Sequence, residues 1–145
     1  MNSAWIDRTI AALRDDGGRV TDQRRLILAA IDASPAGISA EELVASVRES
    51  SGDASRSTVY RTLDLLRDID AVETVHPSPE QHRYLARRTP DQHHVVCQTC
   101  GTVEIIERCT FDAITSEVEL QTGFAVTGHS LEVFGLCGPC HGATS

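Results

Sequence analysis

Residues 94–101 read His-Val-Val-Cys-Gln-Thr-Cys-Gly and are the most informative segment of this chain. The apolar residues predict a short strand, and Gly101 after the second cysteine predicts a tight turn. A second pair with the same spacing, Cys137-Gly138-Pro139-Cys140, follows a strand-like run over residues 131–136. Two thiolate pairs of this kind can close a tetrahedral metal site. The sequence therefore predicts a structural zinc ion bound by Cys97, Cys100, Cys137 and Cys140.

Metal ligation requires reduced thiols, and the rest of the sequence bears on that requirement. The chain has 145 residues, of which 41% are hydrophobic, and no apolar run approaches the length of a membrane span. The N-terminus lacks the basic-then-apolar pattern of a secretory signal, so we expect a cytoplasmic protein with no membrane partner. Two disulfides in a secreted domain are the alternative interpretation, which a signal peptide would have favoured.

The first half of the chain shows helical periodicity. Apolar residues recur at helical spacing in four segments, separated by breaks at residues 17–18, 34–35 and 51–53. The second helix is expected to start with Thr21 as its N-cap. The third is expected to start with a capping box, in which Ser39 and Glu42 satisfy each other's backbone N–H groups.

The period changes after the fourth helix. Val72 and Val75 alternate with polar neighbours, residues 77–80 are rich in turn formers, and Arg83-Tyr84-Leu85 returns as a second short strand. This pattern predicts a β-hairpin. Helices followed by a two-stranded wing are typical of a winged helix-turn-helix, so residues 1–85 are predicted to form a DNA-binding domain.

The second half predicts a small α/β domain that carries the cysteine pairs. Residues 86–91 are rich in arginine and contain Pro90, which indicates a hinge linker. Over residues 92–145 we expect strands at 93–98, 102–107, 124–127 and 131–136, with a helix near 111–122. Its outer strands suggest a surface for oligomerisation. The predicted class is therefore α+β, an N-terminal winged helix followed by an α/β dimerisation domain.

The charge of the chain argues against nucleic acid at first sight, because its net charge is −8. The distribution of the positive charge argues otherwise. All 13 basic residues are arginine, and Arg56 and Arg61 lie in the first turns of the fourth predicted helix, where a recognition helix presents side chains to bases. Tyr60 between them could lie against a thymine methyl group. A solvated amphipathic helix is the alternative explanation of the same pattern.

Four segments of the chain resemble the ferric uptake regulator (Fur) family, in the order that the family has them. They are Arg19-Val20-Thr21 to Arg24, Ser57 to Leu63, His93 to Gly101, and His129 to Cys137. The resemblance covers about residue 10 to Cys140. It implies a homodimer that represses transcription by binding AT-rich inverted repeats in double-stranded DNA when metal is bound. By position it implies that Tyr60 and Arg61 read the major groove and that Arg19 approaches the backbone or minor groove. The full set of predicted DNA contacts also includes Arg24, Arg56, Ser57 and Thr58.

The resemblance also implies a regulatory metal site. Asp91, His93, Asp112 and His129 fall where the family places its mixed histidine and carboxylate ligands. Such ligands suit Zn²⁺, Fe²⁺ or Mn²⁺, so zinc or iron is the expected signal, with manganese and nickel left open. The alternative is that these four are solvated surface residues.

A second family site joins the two domains, and here the sequence departs from the pattern. The usual ligand near the third helix is replaced by Gly37, and the carboxylate after the first cysteine pair is replaced by Ile105. We expect a substitute site built from His82, His94 and a wing carboxylate such as Glu73.

Several other interpretations are open at this point. An iron-based peroxide sensor of the same family would oxidise a ligating histidine, and a zinc-stabilised interaction module would need no DNA. A zinc hydrolase has little support, because the sequence lacks the His-Glu-x-x-His and Gly-x-Ser-x-Gly motifs. Cys109, the odd cysteine, is expected to pack as a small apolar residue.

Overall fold

The chain divides into two compact units, Met1–Arg88 and Thr89–Ser145. The computed structural model describes residues 3–109 and 111–143. The division falls within the predicted 86–91 linker, but the first unit extends through Arg88. Ala86 is paired with Val72 in the wing, and Arg88 Nη1 donates a hydrogen bond to Asp32 Oδ1 at 2.8 Å. The beginning of the predicted linker therefore belongs to the first unit.

Four helices make up most of the first unit: α1 (Ala4–Asp15), α2 (Asp22–Asp32), α3 (Ala40–Ser51) and α4 (Arg56–Asp68). Each begins after a serine or threonine whose side-chain oxygen accepts a hydrogen bond from the backbone of the first turn. The predicted capping box is confirmed, because Ser39 N donates to Glu42 Oε2 at 2.9 Å and Glu42 N donates to Ser39 Oγ at 3.1 Å. None of the described helices has the length and apolarity needed to cross a membrane.

The apolar faces of these helices form one core. Trp5 is 2% exposed, and its indole Nε1 donates a hydrogen bond to the carbonyl of Ala71 at 2.9 Å, so the polar atom is satisfied inside the core. Leu43 and Leu66 are fully buried in the same cluster. Packing on this scale fixes how α4 projects from the unit, which matters because α4 carries the predicted DNA contacts.

The wing is an antiparallel hairpin of β1 (Val72–Ser78) and β2 (Gln81–Ala86). A backbone bridge between Ile38 and Tyr84, with N–O distances of 3.0 and 2.8 Å, attaches β2 to the segment that precedes α3. Helices with a wing attached in this way form a winged helix-turn-helix, as the sequence predicted.

The second unit contains β3 (His93–Cys97), β4 (Val103–Ile106), α5 (Asp112–Thr122), β5 (Glu132–Gly135) and α6 (Gly138–Ala143). Its strands form one sheet in the order β4-β3-β5, with β4 antiparallel and β5 parallel to the central strand. The strand predicted at 124–127 is wrong, because that segment has no regular structure. The helix α6, which starts directly after Cys137, was not predicted.

The second unit leaves many apolar side chains exposed. Helix α5 buries none of its residues. The large exposed hydrophobic residues of the unit are Ile105, Ile106, Ile114, Val118, Leu120, Phe124, Phe134 and Leu136. Apolar surface at this density is unusual for a free surface and is typical of an interface.

Candidate metal centres and nucleic-acid interface

The four cysteines of the two pairs come together in the second unit. Their sulfur atoms all lie within 4.8 Å of one another, and Cys100 Sγ is 3.7 Å from Cys137 Sγ. A tetrahedral site with zinc–sulfur bonds of about 2.3 Å has sulfur–sulfur edges of about 3.8 Å. The cluster therefore has the donor set and the dimensions of a structural zinc site, consistent with the sequence prediction.

The backbone of the first cysteine pair favours the thiolate form that binds metal. Cys97 is the last residue of β3, and Gly101 adopts a φ of +75° that lets the chain turn directly into β4. Hydrogen bonds from the backbone N–H groups of Cys100 and Cys137 lower the pKa of the Cys97 thiol to about 6. Hydrogen bonds with the neighbouring thiols of Cys137 and Cys100 raise the pKa of Cys140 to about 12, and a cation at the centre of the cluster would reverse this effect.

A second cluster lies in the same unit, formed by His93, Cys109 and His129. His93 Nε2 lies 3.0 Å from Cys109 Sγ and 3.1 Å from His129 Nε2. Cys109 Sγ lies 3.3 Å from His129 Nε2. Three atoms with lone pairs thus converge on one point from β3, from the β4–α5 connection and from the segment before β5.

Ring stacking orients one histidine of this cluster, and its position on β3 places the other. The His129 ring stacks on Phe111, with centroids 4.3 Å apart and an interplanar angle of 11°. His93, Val95 and Cys97 are every second residue of β3, so His93 and Cys97 lie on the same face of the strand, about 13 Å apart at 3.3 Å per residue. The two clusters therefore sit near opposite ends of one strand, while His94 lies on the other face.

Only two of the four residues predicted for the regulatory site lie together in the structure. His93 and His129 come together, but Asp91 and Asp112 do not take part in the cluster, and both are exposed. Asp112 instead occupies the first turn of α5, where a carboxylate interacts favourably with the helix dipole. Cys109 does not pack only as an apolar residue, because its Sγ lies beside both imidazoles. Cys109 is the one cysteine outside the two pairs, and this leftover thiol was the sequence signal for a place beside the histidines.

The residues predicted for the second regulatory site are not all brought together. Glu73 is paired with Leu85 and shares a face of the wing with Arg83, whereas His82 alternates with Arg83 and lies on the opposite face. Glu73 Oε1 is 3.6 Å from Arg87 Nη1, and the His82 ring packs edge-on against His76 with centroids 4.8 Å apart. His94 belongs to β3 of the second unit.

The residues predicted to contact DNA gather on two segments of the first unit. Ser57, Tyr60 and Arg61 are exposed on α4, whereas Thr58 is half-buried. The Ser55 Oγ lies 2.8 Å from Thr58 Oγ1 and accepts the Thr58 N–H at 3.1 Å, which fixes the first turn of the helix. Arg19 lies before α2 and is exposed. The Arg24 guanidinium donates a hydrogen bond to the backbone carbonyl of Arg19.

An acidic residue sits against this surface. The Glu41 carboxylate, in the first turn of α3, forms an ion pair with Arg56 and accepts a hydrogen bond from Tyr60 Oη at 3.4 Å. The hydrogen bond from Arg56 holds the pKa of Glu41 below its usual value. Two of the predicted DNA-contacting side chains are thus engaged by one carboxylate in the free protein, a feature that the sequence analysis missed.

A winged-helix unit with exposed arginine and tyrosine, followed by a unit with two clusters of metal-ligating side chains, defines a metal-responsive DNA-binding regulator. Comparison with known proteins gives the family. The profile of the ferric uptake regulator family matches residues 15–134, and the chain belongs to this family. It is therefore a metal-responsive transcriptional repressor and not an enzyme, which sets aside the hydrolase alternative.

Individual relatives match over nearly the whole chain. The ferric uptake regulation protein of Bacillus subtilis is 30% identical, covering 94% of this chain and 95% of the relative. The peroxide-responsive repressor PerR of Staphylococcus saprophyticus is 29% identical, covering 93% and 90%. Among solved structures, the ferric uptake regulator of Vibrio cholerae is 28% identical with a TM-score of 0.68, covering 88% of this chain and 98% of that chain.

Proposed function

We propose that this repressor binds AT-rich inverted repeats as a homodimer when a divalent metal occupies the site around His93 and His129, and so controls metal homeostasis. The observation that carries the proposal is the convergence of these two imidazoles, 3.1 Å apart at Nε2, from segments far apart in the sequence. The Cys₄ cluster is closed by four protein ligands, whereas the second cluster offers three and leaves a position open to exchange. An exchangeable site suits a sensor. A cytoplasmic location remains a prediction from the sequence.

The three ligands explain how metal could change the protein. A bound cation would tie together β3, the β4–α5 connection and the segment before β5. His93 lies close in sequence to Thr89, where the second unit begins, so restraining His93 restrains the chain that leaves the hinge. Metal shifts the population towards the DNA-binding arrangement only if it binds that arrangement more tightly. A coupling of roughly 1–3 kcal/mol, equivalent to about 5–150-fold in DNA affinity, is ordinary for such a switch.

The homodimer is supported by the exposed apolar surface of the second unit. Leu120 is 83% exposed and Phe124 is 73% exposed, although both are large hydrophobic side chains. A unit of this small size cannot bury enough apolar surface by itself. Membership of the family implies that a second copy of the chain covers this surface. Two recognition helices in a symmetric dimer match the two halves of an inverted repeat.

DNA contact is assigned to Arg19, Arg24 and the exposed residues of α4. Arg61 and Tyr60 project from the helix that the four-helix core holds in place, and Ser57 precedes them on the first turn. Arginine reads guanine or contacts phosphate, and polar side chains of the first turns position the helix. The net charge of −8 makes non-specific attraction weak, so affinity should depend on the correct operator and on salt.

The proposal is tested by the anisotropy of a labelled AT-rich inverted repeat, titrated with protein that retains only its tightly held zinc. Zn²⁺, Fe²⁺, Mn²⁺ and Ni²⁺ are added separately at buffered free concentrations. We expect one metal to restore tight, salt-sensitive binding, and we expect the double variant of His93→Ala and His129→Ala to abolish that response. His76→Ala is the control, because the His76 ring lies outside the cluster. A response that survives in the double variant would contradict the proposal.

The second regulatory site predicted from the sequence, with His82, His94 and Glu73 as ligands, is tested in the same assay. His82→Ala combined with His94→Ala should weaken the metal response only if a site near the wing exists. An unchanged response would remove that site from the mechanism.

Peroxide sensing is the alternative that the match to a peroxide-responsive repressor brings forward. It would require Fe²⁺, a metal commonly bound by histidine and carboxylate together, whereas the cluster presents a thiol in place of a carboxylate. A +16 Da adduct on His93 or His129 after peroxide treatment, seen only with iron, would establish this function. Loss of DNA binding with no such adduct would exclude it.

A further inference from the structure

We infer that Cys109 is a metal ligand, and that it converts the regulatory site into an N₂S site selective for Zn²⁺ over Mn²⁺ and Fe²⁺. The inference rests on the proposed function, since it names the donor set and the metal of the same site. Its basis is the position of one atom: Cys109 Sγ lies 3.0 Å from His93 Nε2 and 3.3 Å from His129 Nε2.

The distances fit one face of a tetrahedral zinc site. Zinc–nitrogen bonds of about 2.05 Å and zinc–sulfur bonds of about 2.3 Å give a nitrogen–nitrogen edge of about 3.3 Å and nitrogen–sulfur edges of about 3.6 Å. The observed edges are 3.1, 3.0 and 3.3 Å, each shorter by a few tenths of an ångström. A small outward movement of the three side chains would admit the ion.

The three atoms are poorly explained by hydrogen bonding alone. A cysteine has one S–H proton, and a neutral histidine presents one N–H group, yet both Nε2 atoms face each other and the same sulfur. At least one close pair must therefore lack a proton between its atoms, whichever tautomers are chosen. A cation at the centre accepts all three lone pairs at once and removes this conflict.

The donor set selects the metal. Thiolate is a soft ligand that favours zinc, whereas carboxylates favour Mn²⁺, and imidazole suits both Zn²⁺ and Fe²⁺. Asp91 and Asp112, which would have supplied hard oxygen donors, lie outside the cluster. For divalent ions the general order of affinity also places Zn²⁺ above Mn²⁺ and Fe²⁺. A thiolate in place of a carboxylate therefore increases the selectivity for Zn²⁺, which the general order of metal affinities already favours.

The test uses Co²⁺ as a spectroscopic substitute for zinc in full-length protein that keeps zinc in the Cys₄ cluster. Wild type should bind one Co²⁺ with an intense near-ultraviolet thiolate-to-cobalt charge-transfer band, while native mass spectrometry shows the structural zinc retained. Cys109→Ser should lose the band and should lose Zn²⁺ affinity by about 100-fold or more, since even outer-shell changes cost 10–100-fold. Asp112→Asn should retain the band, because it leaves the sulfur in place.

A second variant and a second readout guard against misfolding. Cys109→Asp should bind Mn²⁺ more tightly than wild type does, without the charge-transfer band. In wild type, bound Zn²⁺ should protect Cys109 from alkylation, as read from its peptide by mass spectrometry. Far-ultraviolet circular dichroism should show that each variant keeps the helix and strands of the second unit.

The outcomes separate the two proposals. A band that persists in Cys109→Ser, or a wild-type protein that binds Co²⁺ without any band, overturns the assignment of Cys109 and leaves the regulatory site to other ligands. A band that behaves as expected, with no effect of Zn²⁺ on operator affinity, supports Cys109 as a ligand and overturns the proposed regulation instead.

Discussion

Gly37 occupies the position at which the resemblance to the family implies a metal ligand, and in this structure a side chain there would collide with its neighbours. Its φ is +86°, and a Cβ built on it would lie 2.9 Å from Leu85 Cδ1 and 3.1 Å from Arg83 Cβ. Leu85 is 2% exposed, so its side chain has little room to move. Gly37→Ala should therefore destabilise the first unit through both backbone strain and overpacking.

The magnitude follows from these two contributions. A left-handed conformation costs a residue with a Cβ roughly 1–2 kcal/mol. Overpacking a buried site costs about 1–3 kcal/mol more. The expected total is about 2–5 kcal/mol, which lowers the urea midpoint by roughly 1–3 M. Gly52→Ala is a matched control, because Gly52 has a φ of +73° and no atom within 4 Å of its Cβ position, so it carries only the first contribution.

The assay is urea unfolding of the full-length protein, followed by the fluorescence of Trp5. Trp5 is the single tryptophan of the chain and is buried in the first unit, so its emission reports that unit alone. Equal midpoints for Gly37→Ala and Gly52→Ala would refute the steric reasoning. In that case position 37 could accept a side chain, and the presence of glycine instead of a metal ligand there would need another explanation.

Four further changes test other parts of the molecule. Glu41→Gln should tighten operator binding by less than about tenfold in the anisotropy assay, with metal affinity unchanged, because it releases a screened, exposed ion pair. Arg61→Ala should weaken operator binding by roughly 5- to 150-fold, the range for a lost base contact, without changing metal stoichiometry. Cys140→Ser should lower zinc content and far-ultraviolet circular dichroism, while Trp5 emission stays native, because folding of the second unit depends on its metal. Leu120→Asp should shift the protein towards monomer in sedimentation velocity, and an unchanged dimer would exclude α5 from the interface.

Local signals in the sequence were sufficient for the first unit. Helix caps are short-range features, so Thr21 and the Ser39–Glu42 pair marked the starts of α2 and α3 where the structure has them. The change from helical to alternating periodicity likewise marked the wing. The boundary of the unit was less visible, because Ala86 and Arg88 are held by partners distant in the sequence.

The second unit shows what local signals could not supply. The equal spacing of the two cysteine pairs was enough to predict a Cys₄ cluster, because each pair is itself a local ligand unit. A strand at 124–127 was expected from apolar residues that the structure leaves irregular and, apart from the half-buried Val126, exposed. The hydrophobic pattern of these residues does not depend on whether they pair in a sheet, so pattern alone assigns them wrongly.

The sequence by itself determined the family, the winged-helix unit and the Cys₄ cluster, because each is encoded in contiguous motifs whose chemistry is local. Only the tertiary structure decided the content of the second cluster. His93, Cys109 and His129 are separated by 16 and 20 positions, and no periodicity links them. Their meeting depends on the β4-β3-β5 sheet order and on the stacking of His129 against Phe111. Long-range packing placed a sulfur atom beside the two imidazoles, where the resemblance to the family had implied carboxylates.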